Sequence, residues 1–418
     1  MPTHAADEPL TLSLPDARRM WYARQGLAEP RSRSVAETVA ATGWLRTFGG
    51  NAYVGGRARI AGFRREDLDE AVFASESLLN VPSVHSCVML VPAPEARYSL
   101  SAAVGKIERE TARTAERCGV ESAEIDALGE AILAELAGGG LTADELRRRL
   151  PAGSIRDLGE QGKKLGDTST LTVALRRLGA RGLIQRLPVG DRLDNGRLRY
   201  RRFGASPWAE AGPVAEELLD CVLVARFLAW AAPASLDEIQ TWTDIGKRRT
   251  VAALATLGAT PVHLEQPDGG TAEAWLGPDD PYLTAAPPPA RQRLVFLPVD
   301  DNLMGLRAGV RQLLEDADRH VTVDGKPVVS FRWWDYHVVV DEGRVIGLWE
   351  WHPRDERVVW RTFRPLPAAD HAILAHEATD LGGFIAGLGS LRQSSLDSEA
   401  AQLKRVAAIE ALGTAQGF

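Results

Sequence analysis

Apolar positions recur with a helical period over residues 123–137, AEIDALGEAILAELA, where Ile125, Leu128, Ile132, Leu133 and Leu136 share one stripe. The GGG at 138–140 ends that helix. Thr142 and Glu145 then have capping-box spacing, and Pro151 stops the short second helix they open. TSTLTVALRRLGARGLI, residues 168–184, reads as a third helix closing at Gly179 or Gly182. Two short β-like runs follow, QRLPV and RLRYRRF, around a loop containing Asn195-Gly196, a strong hairpin signal. Helix, short helix, longer helix and hairpin is the order of a winged helix. In that fold the third helix enters the major groove and the hairpin lies along the DNA backbone.

The pattern recurs. VAEELLDCVLVARFLAW (214–230) is strongly apolar, Ser235 and Glu238 form a second capping-box pair, and Asp244 precedes IGKRRTVAALATLG. PVHLE and AEAWLG then flank QPDGGT like a hairpin. A looser copy opens the chain, with helical 14–27 and 35–45, a short helix over 65–73 and a strand over 83–92. DPYLTAAPPPARQR (280–293) is a Pro-rich linker. Beyond it, 320–367 is rich in Val, Trp and Phe with DG and EG turns, and 368–413 is helical. The expected class is α+β: three tandem winged-helix units followed by a small C-terminal β-barrel or antiparallel sheet and terminal helices. The expected divisions are 1–120, 121–207, 208–279, the linker 280–293, and 294–418.

Charge sharpens this picture. The chain has 418 residues and a net charge of −7, yet segment 141–202 carries 15 Lys/Arg against 7 Asp/Glu. A basic block in an acidic protein points to nucleic acid more than the total does. Lys163, Lys164, Arg176 and Arg177 lie near or on the third helix; Arg192, Arg197, Arg199, Arg201 and Arg202 decorate the wing. Lys247, Arg248 and Arg249 open the corresponding helix of the next unit. These are expected phosphate contacts, giving affinity rather than sequence reading. Winged helices also serve protein partners, and that alternative predicts no salt-sensitive DNA binding.

Other chemistry is sparse. Cys87, Cys118 and Cys221 are far apart, which suits a reducing cytosol and argues against structural zinc. His371 and His376 are spaced i, i+5, whereas a helical zinc pair needs i, i+4. Gly49, Gly50, Gly55 and Gly56 fit neither G-x-G-x-x-G nor a P-loop. No metal and no cofactor is expected. No run of about 18 apolar residues marks a membrane span, and the polar, acidic start lacks a signal-peptide pattern. Trp333, Trp334, Trp349, Trp351 and Trp360 are candidates for base stacking or, at alternate strand positions, for barrel core.

ARRMWYARQGL (17–27), GFRREDLDEAVF (62–73), VMLVPA (88–93), LPVDDNLMG (297–305) and EGRVIGLWEW (342–351) occur in an order that resembles the AlkZ/YcaQ-like winged-helix proteins. These are bacterial DNA glycosylases for bulky alkylated bases and interstrand crosslinks. The resemblance implies tandem winged helices and a C-terminal barrel around duplex DNA, in a monomer of the cytoplasm and nucleoid. It also implies a catalytic Gln-x-Gln or Gln-x-Asp pair that positions water for attack at C1′ as the base leaves. Such a group suits an oxocarbenium-like transition state. In GWLRTFGG (43–50) the matching positions are Arg46 and Phe48, so both side chains are replaced. A permanently charged guanidinium is no general base, and Phe offers no oxygen. Asn51, three residues on, is a candidate amide; His85 matches the family's histidine box, with Ser86 following. Asp300 falls where the C-terminal box keeps its aspartate, and Arg307 matches the first arginine of the R-D-R that follows, with Gly309 at the second. Two functions are implied: a monofunctional glycosylase with a rearranged site, or a non-catalytic relative that binds damage, confers self-resistance to a genotoxin or regulates transcription.

Overall fold

The computed structural model describes residues 10–31, 33–47, 49–208, 211–289, 293–307, 309–389, 391–393 and 397–415. The chain forms two compact units. One is the chain up to Leu68 together with Asp220 onward; the other is Asp69–Leu219.

The first unit opens with β1 (Thr11–Leu12) and α1 (Leu14–Arg24), whose cap Ser13 accepts from the Asp16 N–H. A complete Ser34–Glu37 capping box starts α2 (Val35–Thr42). After β2 (Leu45–Arg46), α3 (Asn51–Arg59) starts from a left-handed Gly50, and α4 (Arg65–Asp69) is one short turn.

The second unit continues with β3 (Leu78–Pro82) and β4 (Val88–Pro92), an antiparallel hairpin. Next comes α5 (Ala96–Arg117), a 22-residue helix that the apolar pattern did not announce. Its buried face holds mostly small or hydroxylated residues, Ser99, Ala103, Thr111 and Thr114, with Leu100 and Ile107 the larger ones. Helix α6 (Ser122–Glu135), β5 (Leu141–Thr142), α7 (Ala143–Arg149), α8 (Gly159–Lys164), α9 (Thr170–Ala180), β6 (Ile184–Pro188) and β7 (Leu198–Arg202) follow. The expected Thr142–Glu145 box caps α7. The three strands pair antiparallel in the order β5-β7-β6. Ile125, Leu128, Ile132, Leu146, Leu171 and Leu175 fill the core beneath them.

The chain returns to the first unit along α10 (Glu216–Ala231), which reaches across the boundary in sequence. Helix α11 (Leu236–Thr243), under its Ser235–Glu238 box, and α12 (Lys247–Leu257) precede the antiparallel pair β8 (Thr260–Glu265) and β9 (Thr271–Leu276). Strand β1 joins β8 in parallel. The remaining elements are β10 (Leu294–Leu297), α13 (Asn302–Gly305), the small hairpin β11 (Thr322–Val323) and β12 (Lys326–Pro327), then β13 (His337–Asp341), β14 (Arg344–His352), β15 (Arg357–Thr362), α14 (Ala368–Leu388) and α15 (Glu399–Ala415).

Strands β10-β13-β14-β15 form an open antiparallel sheet, so the barrel expectation is corrected to its sheet alternative. The reason lies in what covers the strands. Leu374, Leu381 and Ile385 of α14 pack against Phe296, Val339, Trp349 and Trp351, so a helix buries the apolar face that closure would have buried. Glu350, between the two tryptophans, meets Gln402 and Arg405 of α15 instead.

Candidate functional site

The turn Val299–Asn302 is anchored at every residue. The Val299 N–H donates to His337 Nδ1 at 2.8 Å. The Asp300 N–H donates to the Trp333 carbonyl at 3.1 Å. Asp301 caps α13 through the Leu303 N–H at 2.9 Å and takes a two-pronged ion pair from buried Arg59 at 2.8 and 2.9 Å. Asn302 Nδ2 donates to the carbonyls of Thr42 and Trp44 at 3.1 and 3.3 Å. The last contact explains Gly43. It sits at φ +111°, and a Cβ there would lie 2.7 Å from Asn302 Nδ2. Gly56 is likewise a packing residue, since its Cβ would lie 2.7 Å from the Phe63 ring.

This anchoring presents one carboxyl. Asp300 holds a left-handed backbone, φ +66°, uncommon outside glycine and a form of local strain. Its side chain is largely buried, and burial pushes the carboxyl up to about 6; the nearby Arg46 charge works against that rise. The Arg46 guanidinium lies over the Trp333 ring, 4.2 Å from its centroid. The structure therefore brings together two of the expected site residues, Arg46 and Asp300, and adds Trp333 between the segments that carry them. A carboxyl titrating near neutrality beside a fixed cation can hold a proton, orient water or face a developing positive charge.

The other candidates sit differently. Phe48 lies outside the described residues. Asn51, the first residue of α3, is 2% exposed, and neither amide atom has a hydrogen-bond partner. His85 belongs to the second unit, exposed in the turn between β3 and β4, where it and Ser86 adopt φ +58° and +59°. Arg307 is buried, donating to the carbonyls of Pro233 and Ala231 and lying over Trp21, so its role is structural. Sequence reasoning did not place at the site Arg59 and His337, which fix the Asp300 turn from two distant segments, nor Asp301, the residue of the turn that Arg59 holds. It also missed the pairing of Glu350 with Arg405, a buried network in which burial pushes Glu350 up to about 7.

The basic block is mostly neutralised inside its own unit. Arg176 pairs with Glu110 at 2.6 Å and with buried Asp167 at 2.8 Å. Arg177 is 4% exposed; it donates to Thr111 at 3.1 Å and Ser122 at 3.2 Å, with Glu108 and Asp126 nearby. No residue of α9 is fully exposed. The face expected to read a groove is occupied by α5. Arg192 pairs with Asp194, Arg199 with Asp191, Arg201 with Glu76 and Lys163 with Glu160. Lys164, Arg197 and Arg202 stay exposed. Arg199, Arg201 and Arg202 line an open cleft of about 510 Å³ against the glycine turn at 139–140.

Helix α12 has the opposite character. Thr250, Ala253 and Leu254 are buried, while Lys247, Arg248, Val251, Ala252, Ala255 and Thr256 are exposed along the other face. Arg249 alone of its basic triplet is tied down, by a two-pronged pair with Asp220 at 2.6 and 2.5 Å.

Among the described residues no cluster of three metal-ligating side chains occurs, and no helix is long and apolar enough to cross a membrane.

Fold and motifs together define a protein of the DNA-repair glycosylase class. The pattern that defines the AlkZ-like DNA glycosylases matches residues 38–384, and the chain belongs to that family. Among solved structures it is similar to the Streptomyces sahachiroi DNA glycosylase AlkZ, with a TM-score of 0.63 and 20% identity over 92% of this chain and 99% of that one. At that identity the likeness shows the fold. No curated protein matches.

Proposed function

We propose that this chain is a monofunctional glycosylase that releases bulky N-alkylated purines, or unhooks crosslinks, from duplex DNA. Asp300 supplies a side-chain oxygen, here a carboxylate, in place of the Gln-x-Gln or Gln-x-Asp pair that the resemblance implies. The observation that carries this reading is the largely buried Asp300 carboxyl near Arg46 on a turn anchored at each residue. Ionised, Asp300 would hold the attacking water and stabilise positive charge at C1′ as the glycosidic bond breaks. Arg46 favours that ionised form. The base leaves with the bonding electrons, water bonds to C1′, and the water's proton passes to the carboxylate.

The second reading, a non-catalytic damage binder, is favoured by Arg46 and Phe48 at the positions of the family pair. Both readings use the same scaffold. The helix–strand–helix–helix–helix–hairpin order of 122–202 and the α10–β9 stretch support winged helices at 121–207 and 208–279; 1–120 is the looser copy. Lys247 and Arg248 on the open face of α12, with Lys164, Arg197 and Arg202, are the proposed phosphate contacts.

A single-turnover assay tests the proposal. Enzyme in excess is mixed with duplexes carrying N7-alkylguanine, as monoadduct and as crosslink, while binding is followed in parallel. Release of the modified base is the expected result. Tight binding without release overturns it in favour of the second reading.

A further inference from the structure

A tryptophan pair sits next to the Asp300 turn in a conformation unlike core packing. Trp333 and Trp334 lie in the turn 332–335, outside every strand. The turn is closed by the Asp335 N–H donating to the Arg332 carbonyl at 3.1 Å, and by the Arg332 N–H donating to the Asp335 carboxylate at 2.7 Å. Below it, Phe331 and Tyr336 stack at 5.1 Å, and the Asp300 N–H holds the Trp333 carbonyl. The backbone beneath the indoles is therefore fixed.

The indoles themselves are not enclosed. Their centroids are 4.4 Å apart at 89°, an edge-to-face pair. Trp334 is 42% exposed. Arginines flank both rings: Arg46 over Trp333 at 4.2 Å and Arg332 over Trp334 at 5.1 Å. Among the described residues Trp334 is the aromatic side chain among the exposed large hydrophobics, the others being Leu, Val and Ile. Of the nearby carboxylates, Asp335 is occupied in the turn and Asp300 lies near Arg46; beside the exposed Trp334 ring the charge is the Arg332 guanidinium.

We propose that this turn is a stacking wedge for a single unpaired nucleobase, with Trp334 as the stacking surface and Arg332 and Arg46 facing the flanking phosphates. The inference rests on the DNA-binding reading above and deepens it. Excision or displacement of a damaged base leaves a gap opposite an orphaned partner, and an aromatic face can occupy or cover that gap. Stacking accepts any base because every base has a π face. An apolar protein partner would not call for two arginines on the rings.

The test uses the full chain and two duplexes. One carries 2-aminopurine opposite a tetrahydrofuran abasic analogue; the other pairs the 2-aminopurine with thymine. Anisotropy gives affinity, and 2-aminopurine emission reports stacking. Trp334→Ala, at an exposed turn position, is expected to bind the abasic duplex about tenfold more weakly and the paired duplex within about twofold of wild type. Trp334→Phe should restore most of the loss, and only aromatic variants should quench the unpaired 2-aminopurine. Equal affinity of Trp334→Ala and wild type for the abasic duplex overturns the wedge, as does an equal loss on both duplexes. Wild-type protein that binds neither duplex overturns the DNA reading and the wedge with it. Wild-type binding to both, unaffected by the substitution, overturns the wedge alone.

Discussion

Helices α9 and α12 each run into a β-hairpin, and each carries adjacent basic residues, Arg176 and Arg177 in the second half of α9 and Lys247 and Arg248 at the start of α12. One is enclosed and the other open. Arg176 and Arg177 of α9 reach Glu110 and Thr111 of α5 and are spent on holding the unit together. Lys247 and Arg248 of α12 stand on a face where even Val251 is 47% exposed. A local excess of basic residues thus measures charge and says nothing of availability. The acids that neutralise the 141–202 block come both from within it, Glu160, Asp167, Asp191 and Asp194, and from outside it, Glu108 and Glu110 of α5, Asp126 of α6 and Glu76. Asp300 and Asp301 repeat the contrast at one-residue spacing: Asp301 is consumed by Arg59, and Asp300, largely buried, has only the nearby Arg46 charge to offset its burial.

The comparison breaks most directly at Arg177. Arg177→Ala removes a buried cation from two hydroxyls and two carboxylates. It is expected to cost on the order of 3 kcal/mol in urea denaturation, with DNA affinity of the folded fraction unchanged. A surface-like cost below about 0.5 kcal/mol would mean that α5 does not hold α9 as described.

Asp300→Asn comes next. The folded carboxyl titrates near 6 and the unfolded one near 3.8, so the native state carries the ionised group at a cost above about pH 6. As pH falls from 7 towards 4 the native state takes up the proton first, and wild type gains stability relative to the variant. The variant should therefore be more stable than wild type at pH 7–8 by on the order of 2 kcal/mol, with the gap closing by about pH 4. A gap independent of pH in thermal melts would remove the raised titration.

Lys247→Ala with Arg248→Ala should leave stability within about 0.5 kcal/mol. Duplex affinity should fall about tenfold or more, with the log–log salt slope shallower by about two phosphate contacts. An unchanged slope would dissociate α12 from the DNA. The smallest effect is at Val251→Ala, expected to shift stability by less than about 0.5 kcal/mol because its methyls face solvent; a larger loss in melting would mean that face is covered.

Much of the fold was readable because its signals are local. The Thr142 and Ser235 boxes cap the helices expected of them, and the Asn195-Gly196 hairpin links β6 and β7. The expected helix over 168–184 is real at Thr170–Ala180. What failed was tertiary. Helix α5 buries mostly small and hydroxylated residues and was not among the expected helices, and without it α9 looks like an exposed helix. Sheet closure depends on whether a helix or another strand covers Trp349 and Trp351, which alternation alone leaves open. At the site, Asp300 was reached through family resemblance. Its partners Arg46 and Trp333 lie 254 and 33 positions away in the sequence, and no spacing rule connects them.

The most direct test of the account is the pH profile of single-turnover base release from an N7-alkylguanine duplex, for wild type and Asp300→Asn. The account predicts wild-type release that rises with pH through about 6 as the carboxyl ionises. It predicts an Asp300→Asn rate lower by about a hundredfold or more, without that rise and with duplex affinity kept. Release by Asp300→Asn at the wild-type rate and with the same pH dependence would contradict it.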